Sequence, residues 1–219
     1  MTSDEMKILY NKFDKRTLVN LPVVQYEGRI VVIQTVGEAR RAVEYLQQFP
    51  RIGIDTETRP NFKPGGMNPV ALLQIATYDT CFLFRLNMMG LPQCLAGLLA
   101  NPNVVKVGLS LHDDWAQLHK RLPFTPQSCI DIQDFVAPMG IEDRSLQKLF
   151  ANFFGLKISK SQRLSNWETD VLSLPQKHYA AIDAWACLLL YDEINSLRTS
   201  GQYRLVDFEP PEQEPNTTK

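Results

Sequence analysis

The 219-residue chain has almost no charge imbalance: 23 Lys and Arg stand against 24 Asp and Glu, a formal net charge of −1. No global basic field draws in a polyanion, so any nucleic-acid binding must rest on local charge or on bound metal. Long apolar runs are missing too. No stretch reaches the roughly 18 apolar residues of a membrane span, and the opening MTSDEMKILYNKFDKR lacks a long apolar run. The four cysteines, Cys81, Cys94, Cys129 and Cys187, include no CxxC pair, which argues against a zinc site or a disulfide framework and suits buried thiols in a reducing compartment. There is no internal repeat. These absences predict a soluble, cytoplasmic protein of one ordinary domain, with no membrane partner and no sign of a protein partner.

What is present alternates strands and helices. Residues 1–28 form an extension, with a short helix expected over 7–13 and an irregular link over 22–28. RIVVIQT predicts a strand, EARRAVEYLQQF an amphipathic helix and RIGIDTE a buried strand, while VALLQIAT and CFLFRL flank Tyr78-Asp79-Thr80 as a hairpin. A helix in QCLAGLLA, a strand in VVKVG, a helix over 113–121 and a short strand in CIDI follow. Helices in SLQKLFANFFG and PQKHYAAIDAWACLLLYDEINSL complete residues 29–199. The expectation is an α/β fold, a mixed sheet of five or six strands flanked by helices. Residues 200–219 end in FEPPEQEPNTTK, with three Glu and three Pro, and predict a disordered tail.

Three places concentrate acids. Asp55 and Glu57 close RIGIDTE two residues apart, and positions i and i+2 of a strand face the same way, so the two carboxylates converge. Two solvated acids at a strand end would be ordinary, but the core strand before them puts the pair where α/β proteins build sites. The second place is Asp113-Asp114, where a strand runs into a helix; one acid can cap that helix and the other is free for chemistry. The third is Asp183, set in a helix among Ala180, Ala184, Cys187 and Leu188. A buried carboxylate must be paired, hydrogen-bonded or metal-bound.

The ordered set IGIDTETRP, VALLQIA with CFLFRL, KVGLSLHDDWAQL, KSQRLSNWE and HYAAIDAWA resembles the DEDD 3′-to-5′ exonucleases of ribonuclease-H-like fold, especially ribonuclease D and the Werner-syndrome-type domain, over residues 29–197. The resemblance implies that Asp55, Glu57, Asp114 and Asp183 hold two divalent ions, Mg²⁺ or Mn²⁺, against the last phosphodiester of a strand with a free 3′ end. The residue types agree, since hard cations prefer oxygen ligands and paired ions stabilise both attacking and leaving oxygens. In the second motif, the G-x-N-x-x-x-D spacing from Gly108 places Ser110 at the asparagine and reaches Asp114, whereas a D-x-W spacing reaches Asp113. Asp114 is preferred because Leu118 then packs one turn behind it, which leaves Asp113 as the helix N-cap.

In this family the last aspartate is accompanied either by histidine five residues before or by tyrosine four before, and HYAAID offers both His178 and Tyr179. Ser173-Leu174-Pro175-Gln176 predicts a capping box, with Ser173 at the N-cap and Gln176 at N3, so 178–183 is helical. Positions 179 and 183 then differ by about 40° around the axis and 178 and 183 by about 140°. Tyrosine shares the aspartate's face, which predicts the tyrosine branch, with Tyr179 orienting the attacking water and a 5′-mononucleotide leaving.

KSQRLSNW also matches a Werner-type segment that lies near substrate. With Lys157 it forms the local basic cluster of the second half, and Lys160, Arg163 and Trp167 are its candidate nucleic-acid contacts. Two rival functions stay in view: a non-catalytic nucleic-acid-binding or interaction module on the same fold, and an endonuclease of ribonuclease-H-like fold. DNA and RNA are not separable at this stage, because reading a 2′-hydroxyl takes only a contact or two.

Overall fold

The computed structural model describes residues 6–62, 66 and 68–208. In chain order these form β1 (Lys7–Tyr10), a 3₁₀ turn (Thr17–Asn20), β2 (Arg29–Ile33), α1 (Val36–Leu46), β3 (Arg51–Thr58), β4 (Val70–Ala76), β5 (Thr80–Arg85), α2 (Leu86–Met89), α3 (Gln93–Leu99) and β6 (Val105–Gly108). Then come α4 (Leu111–Arg121), β7 (Cys129–Asp131), α5 (Ile132–Val136), a second 3₁₀ turn (Ala137–Met139), α6 (Leu146–Phe154), α7 (Leu174–Ser200) and β8 (Tyr203–Val206). No helix among the described residues is long and apolar enough to cross a membrane.

The main sheet has six strands in the order β2-β5-β4-β3-β6-β7. β3, β4 and β5 form an antiparallel meander; β2 joins it parallel to β5, and β6 and β7 extend it parallel to β3. β4 and β5 are buried along their whole length, as a central hairpin covered on both faces must be. One face carries a core around Leu46, Ile52, Ile54, Leu73, Phe84 and Leu98, and the other a core around Leu72, Leu83, Phe150, Trp167, Ala184 and Leu188. The fold is thus the expected mixed α/β arrangement, a six-stranded sheet flanked by helices.

The helix expected over 7–13 is instead strand β1, paired in parallel with β8 from Lys7↔Tyr203 to Tyr10↔Val206. Leu9 is its buried residue, and Asn152 of α6 clamps the Tyr10 backbone from both sides, accepting from its N–H at 3.0 Å and donating to its carbonyl at 2.7 Å. Part of the segment expected to be a disordered tail is therefore a paired strand; residues 209–219 lie outside the described residues. The extension is also anchored by apolar burial, with Leu18, Val24 and Tyr26 all in the core.

Candidate active site

Strand β3 and helix α7 build the site by approaching closely. Gly53 lies beneath α7, and a Cβ there would sit 2.1 Å from the Ala184 carbonyl oxygen, so only glycine lets the two backbones meet. Asp55 follows Gly53 by two residues and Asp183 precedes Ala184, so the close approach carries both acids to one place. A register shift between Glu57 and Thr58 ends the regular β3–β4 pairing at this point. Carboxylate oxygens of Asp55, Glu57 and Asp183 lie within 4.8 Å of one another.

Asp114 stands beside this trio from the first turn of α4, and its carboxylate accepts a hydrogen bond from the Thr56 hydroxyl. Asp113 turns to solvent with a side chain 91% exposed, next to His112. Of the two adjacent aspartates, Asp114 is the one brought to the site. Asp113 is not the N-cap, however. α4 starts two residues earlier than expected, Ser110 takes the N-cap position in a left-handed conformation (φ 60°) without a side-chain cap, and Asp131 of β7 accepts from the Leu111 N–H at 2.8 Å.

The electrostatics of the four acids follow from burial. Burial holds the Asp55 carboxyl well above the usual range, and repulsion from Asp183, Asp114 and Glu57 adds to it. Glu57 is pushed up to about 9 by burial and then by Asp183 and Asp114, against the pull of Arg163. Burial lifts Asp183 to about 7, opposed by a hydrogen bond with Tyr179 and by Lys160. Asp114 rises to about 6, again through burial, with the Thr56 hydrogen bond opposing. Three carboxylates this close with a fourth beside them, and too few cations to match them, suit hard divalent ions, which would remove the repulsion and keep all four ionised.

Helix α7 begins with the predicted capping box, Ser173 accepting from the Gln176 N–H and the Gln176 side chain accepting from the Ser173 N–H. Tyr179 and Asp183 consequently share a face, near enough for each to act on the other's ionisation. Both line a cavity of about 320 Å³ with Leu109, Ile158, Lys160 and Arg163. His178 is not among the described residues around it. The Gln176 amide also donates to the Ser165 hydroxyl at 3.0 Å and the Asn166 carbonyl at 3.1 Å, and buried Arg85 donates to the carbonyls of Thr169 and Asp170. Those bonds fix the loop that presents Lys160 and Arg163.

Trp167 is a correction. The indole is fully buried, its ring centroid 6.0 Å from that of Tyr179, so it supports the tyrosine from behind and meets no strand. Sequence reasoning also missed three polar residues. Thr56 holds Asp114, and Asp131 caps α4 and adds its charge to the field at Asp114. Gln74 is paired across the sheet with Asp55, hence on the same face, and is fully buried with neither amide atom hydrogen-bonded among the described residues. The glutamine interrupting the apolar run VALLQIA was the visible signal.

Residues 30–197 match the family model described as 3′-5′ exonuclease. The bifunctional 3′-5′ exonuclease/ATP-dependent helicase WRN of Mus musculus is 31% identical over 194 residues, spanning 84% of this chain but 14% of that protein. A 3′-5′ exonuclease of Arabidopsis thaliana is 28% identical over 81% of this chain and 67% of its own length. Among solved structures, the Nibbler EXO domain of Aedes aegypti superposes with a TM-score of 0.75 at 22% identity, over 83% of this chain and 95% of that one. Escherichia coli RNase D gives 0.70 at 22% identity, over 79% and 46%. The chain spans only about a seventh of the mouse relative's length. With its family model matched across most of its length, the chain belongs to the 3′-5′ exonuclease family.

Proposed function

We propose that the protein is a metal-dependent 3′-5′ exonuclease of the tyrosine branch, releasing 5′-mononucleotides from DNA or RNA ends. The observation that carries this reading is the convergence of Asp55, Glu57 and Asp183 within 4.8 Å, with Tyr179 on the Asp183 face and Lys160 and Arg163 across the same cavity. Asp55, Glu57 and Asp183 would hold one divalent ion, and Asp55 with Asp114 a second. When bound, the ions supply Lewis-acid neutralisation of the charge that develops on the phosphodiester oxygens.

The chain's own groups do the rest. Burial and the Asp183 carboxylate push the Tyr179 phenol far above its ordinary value, so it stays protonated at neutral pH. Its place on the Asp183 face suits it to position the attacking water by hydrogen bonding. Lys160 and Arg163 orient the scissile phosphate by charge. Water oxygen bonds to phosphorus, the P–O3′ bond breaks, and the shortened strand recovers its 3′-hydroxyl by taking up a proton.

The test is digestion of 5′-labelled single-stranded DNA and RNA with Mg²⁺, with Mn²⁺ and with EDTA. A ladder descending one nucleotide at a time from the 3′ end, abolished by EDTA, is expected. Internal cuts would establish the endonuclease reading, and binding without cleavage would establish a non-catalytic module.

A further inference from the structure

The geometry points to a second nucleic-acid subsite, built by the N-terminal extension, which receives the backbone of a single strand on the 5′ side of the nucleotide being removed. It rests on the exonuclease reading for its direction, since the strand's 3′ end is taken to lie at Asp183. A second cavity, also of about 320 Å³, adjoins the catalytic one and shares Gln147, Ile158 and Lys160 with it. Its far wall is the extension, through Lys15, Leu18, Val19 and Val23.

That wall is fixed in place. The Val24 N–H donates to the Lys157 carbonyl at 3.0 Å, and the Lys157 N–H donates to the Pro22 carbonyl at 2.9 Å, so the extension runs as a parallel bridge beside the basic loop. The Lys157 ammonium reaches across to the Val19 carbonyl at 2.6 Å. Farther back, the Phe13 N–H donates to Asp143, which also pairs with Lys148. Leu18 is buried under the turn that carries Lys15.

The charges in this groove are not tied up in ion pairs among the described residues; Lys160 and Arg163 act only through space on Asp183 and Glu57. Asp14, the nearest acid in sequence, is taken by Arg16 at 2.8 Å. Lys15, Lys160 and Arg163 have no ion-pair partner among the described residues, and all three are exposed. Arg163 and Lys15 lie close enough to Lys160 to disfavour its charge, adding to the effect of its partial burial. Gathering like charges beside a continuous groove is unfavourable without an anion to receive. A phosphodiester backbone supplies one anion per nucleotide, and in a chain with a net charge of −1 a strand is held by local clusters of this kind and not by a global field. Val19 and Val23, respectively 75% and 43% exposed, give the same groove an apolar side for sugars and bases. Charge along a backbone track with apolar surface beside it is how single strands are held without sequence preference.

Lys15 is the residue to perturb, because its side chain is exposed and remote from the acids. Two measurements are needed: kcat/KM on a dinucleotide and on a strand of about ten nucleotides, in DNA and RNA form, and equilibrium binding of the longer strand with Ca²⁺ in place of Mg²⁺. For Lys15→Ala the ratio of long to short kcat/KM should fall about fivefold, for Lys15→Glu tenfold or more, mainly through KM, and Lys15→Arg should restore it. Losing one phosphate contact should also make the salt dependence for the long strand shallower by about 0.7 in log–log slope. Equal loss on both substrates, or no loss of ratio or binding, overturns the subsite. If no substrate is cleaved yet Lys15→Glu weakens binding fivefold or more, the exonuclease reading fails and the groove stands.

Discussion

Replacing Asp183 with asparagine should make the metal-free protein more stable while destroying its function. Asp183, Asp55 and Glu57 place carboxylate oxygens within 4.8 Å of one another. At that separation and an effective dielectric constant of 20, one fully ionised pair repels by about 3.5 kcal/mol. The cluster avoids part of this by keeping protons: burial raises Asp183 to about 7 and Glu57 to about 9. A carboxyl whose folded pKa is raised binds protons in the native state that the unfolded chain releases. Its stabilising contribution is complete below the unfolded value near 4 and is lost as pH rises through the folded value.

At pH 8 in EDTA the parent therefore carries a net penalty of about 1–3 kcal/mol that Asp183→Asn removes. For a chain of this size that raises the thermal midpoint by about 2–12 °C. At pH 5 the acids are largely protonated, Asn mimics the neutral carboxyl, and the difference should vanish. Divalent ions bind only the folded site, so they should stabilise the parent more than the variant. Thermal unfolding of both proteins at the two pH values, with EDTA and with Mg²⁺, decides the matter. An Asp183→Asn protein no more stable than the parent at pH 8 in EDTA, or one with the same advantage at pH 5, refutes the electrostatic argument.

Tyr179→Phe removes a hydroxyl but keeps the contact with Trp167, and should slow single-turnover cleavage by about 10²-fold, whereas His178→Ala should change it little. A collapse in the histidine variant would reverse the branch assignment. Asp114→Asn should lower kcat by about 10²-fold and Asp113→Asn by no more than about twofold, because only the first is buried at the site; steady-state rates at saturating Mg²⁺ compare them. Gly53→Ala forces a methyl against the Ala184 carbonyl, so it should cost about 1–3 kcal/mol and separate Asp55 from Asp183. An unchanged thermal midpoint for that variant would show that α7 does not approach β3 so closely.

Local pattern carried most of what places the catalytic groups. The alternation in β3 put Asp55 and Glu57 on one face, and the capping box fixed the phase of α7 so that Tyr179 and Asp183 aligned. What escaped the sequence depends on partners distant along the chain. KILY became a strand because YRLV, nearly 200 residues later, pairs with it, and no helix or strand period can be read from four residues. Neighbouring Asp113 and Asp114 differ by about 100° around α4, so their roles hang on the helix start. That start is set by Asp131, twenty residues on, and not by an adjacent side chain. Trp167 misled because its polar neighbours suggest a surface loop, whereas Arg85 and Gln176 pull that loop onto the core.

The distribution of charge links ions and substrate. Near the phosphate of an entering strand stand four carboxylates, and the cations that offset them are few: Arg163 acts on Glu57 and Lys160 on Asp183. Without ions, a phosphodiester would approach acids that already repel one another, and the two basic residues cannot outweigh that field. With ions bound, the carboxylates would be neutralised, Arg163 and Lys160 would turn from countercharges into phosphate contacts, and the groove lined by Lys15 would continue the same positive path. On the exonuclease reading, ion binding and strand binding are therefore positively coupled, and linkage requires each to raise the other's affinity by the same factor. On that reading a nearly neutral chain would bind a polyanion tightly only when the ions that activate cleavage are in place, a selectivity that a uniformly basic surface would not provide.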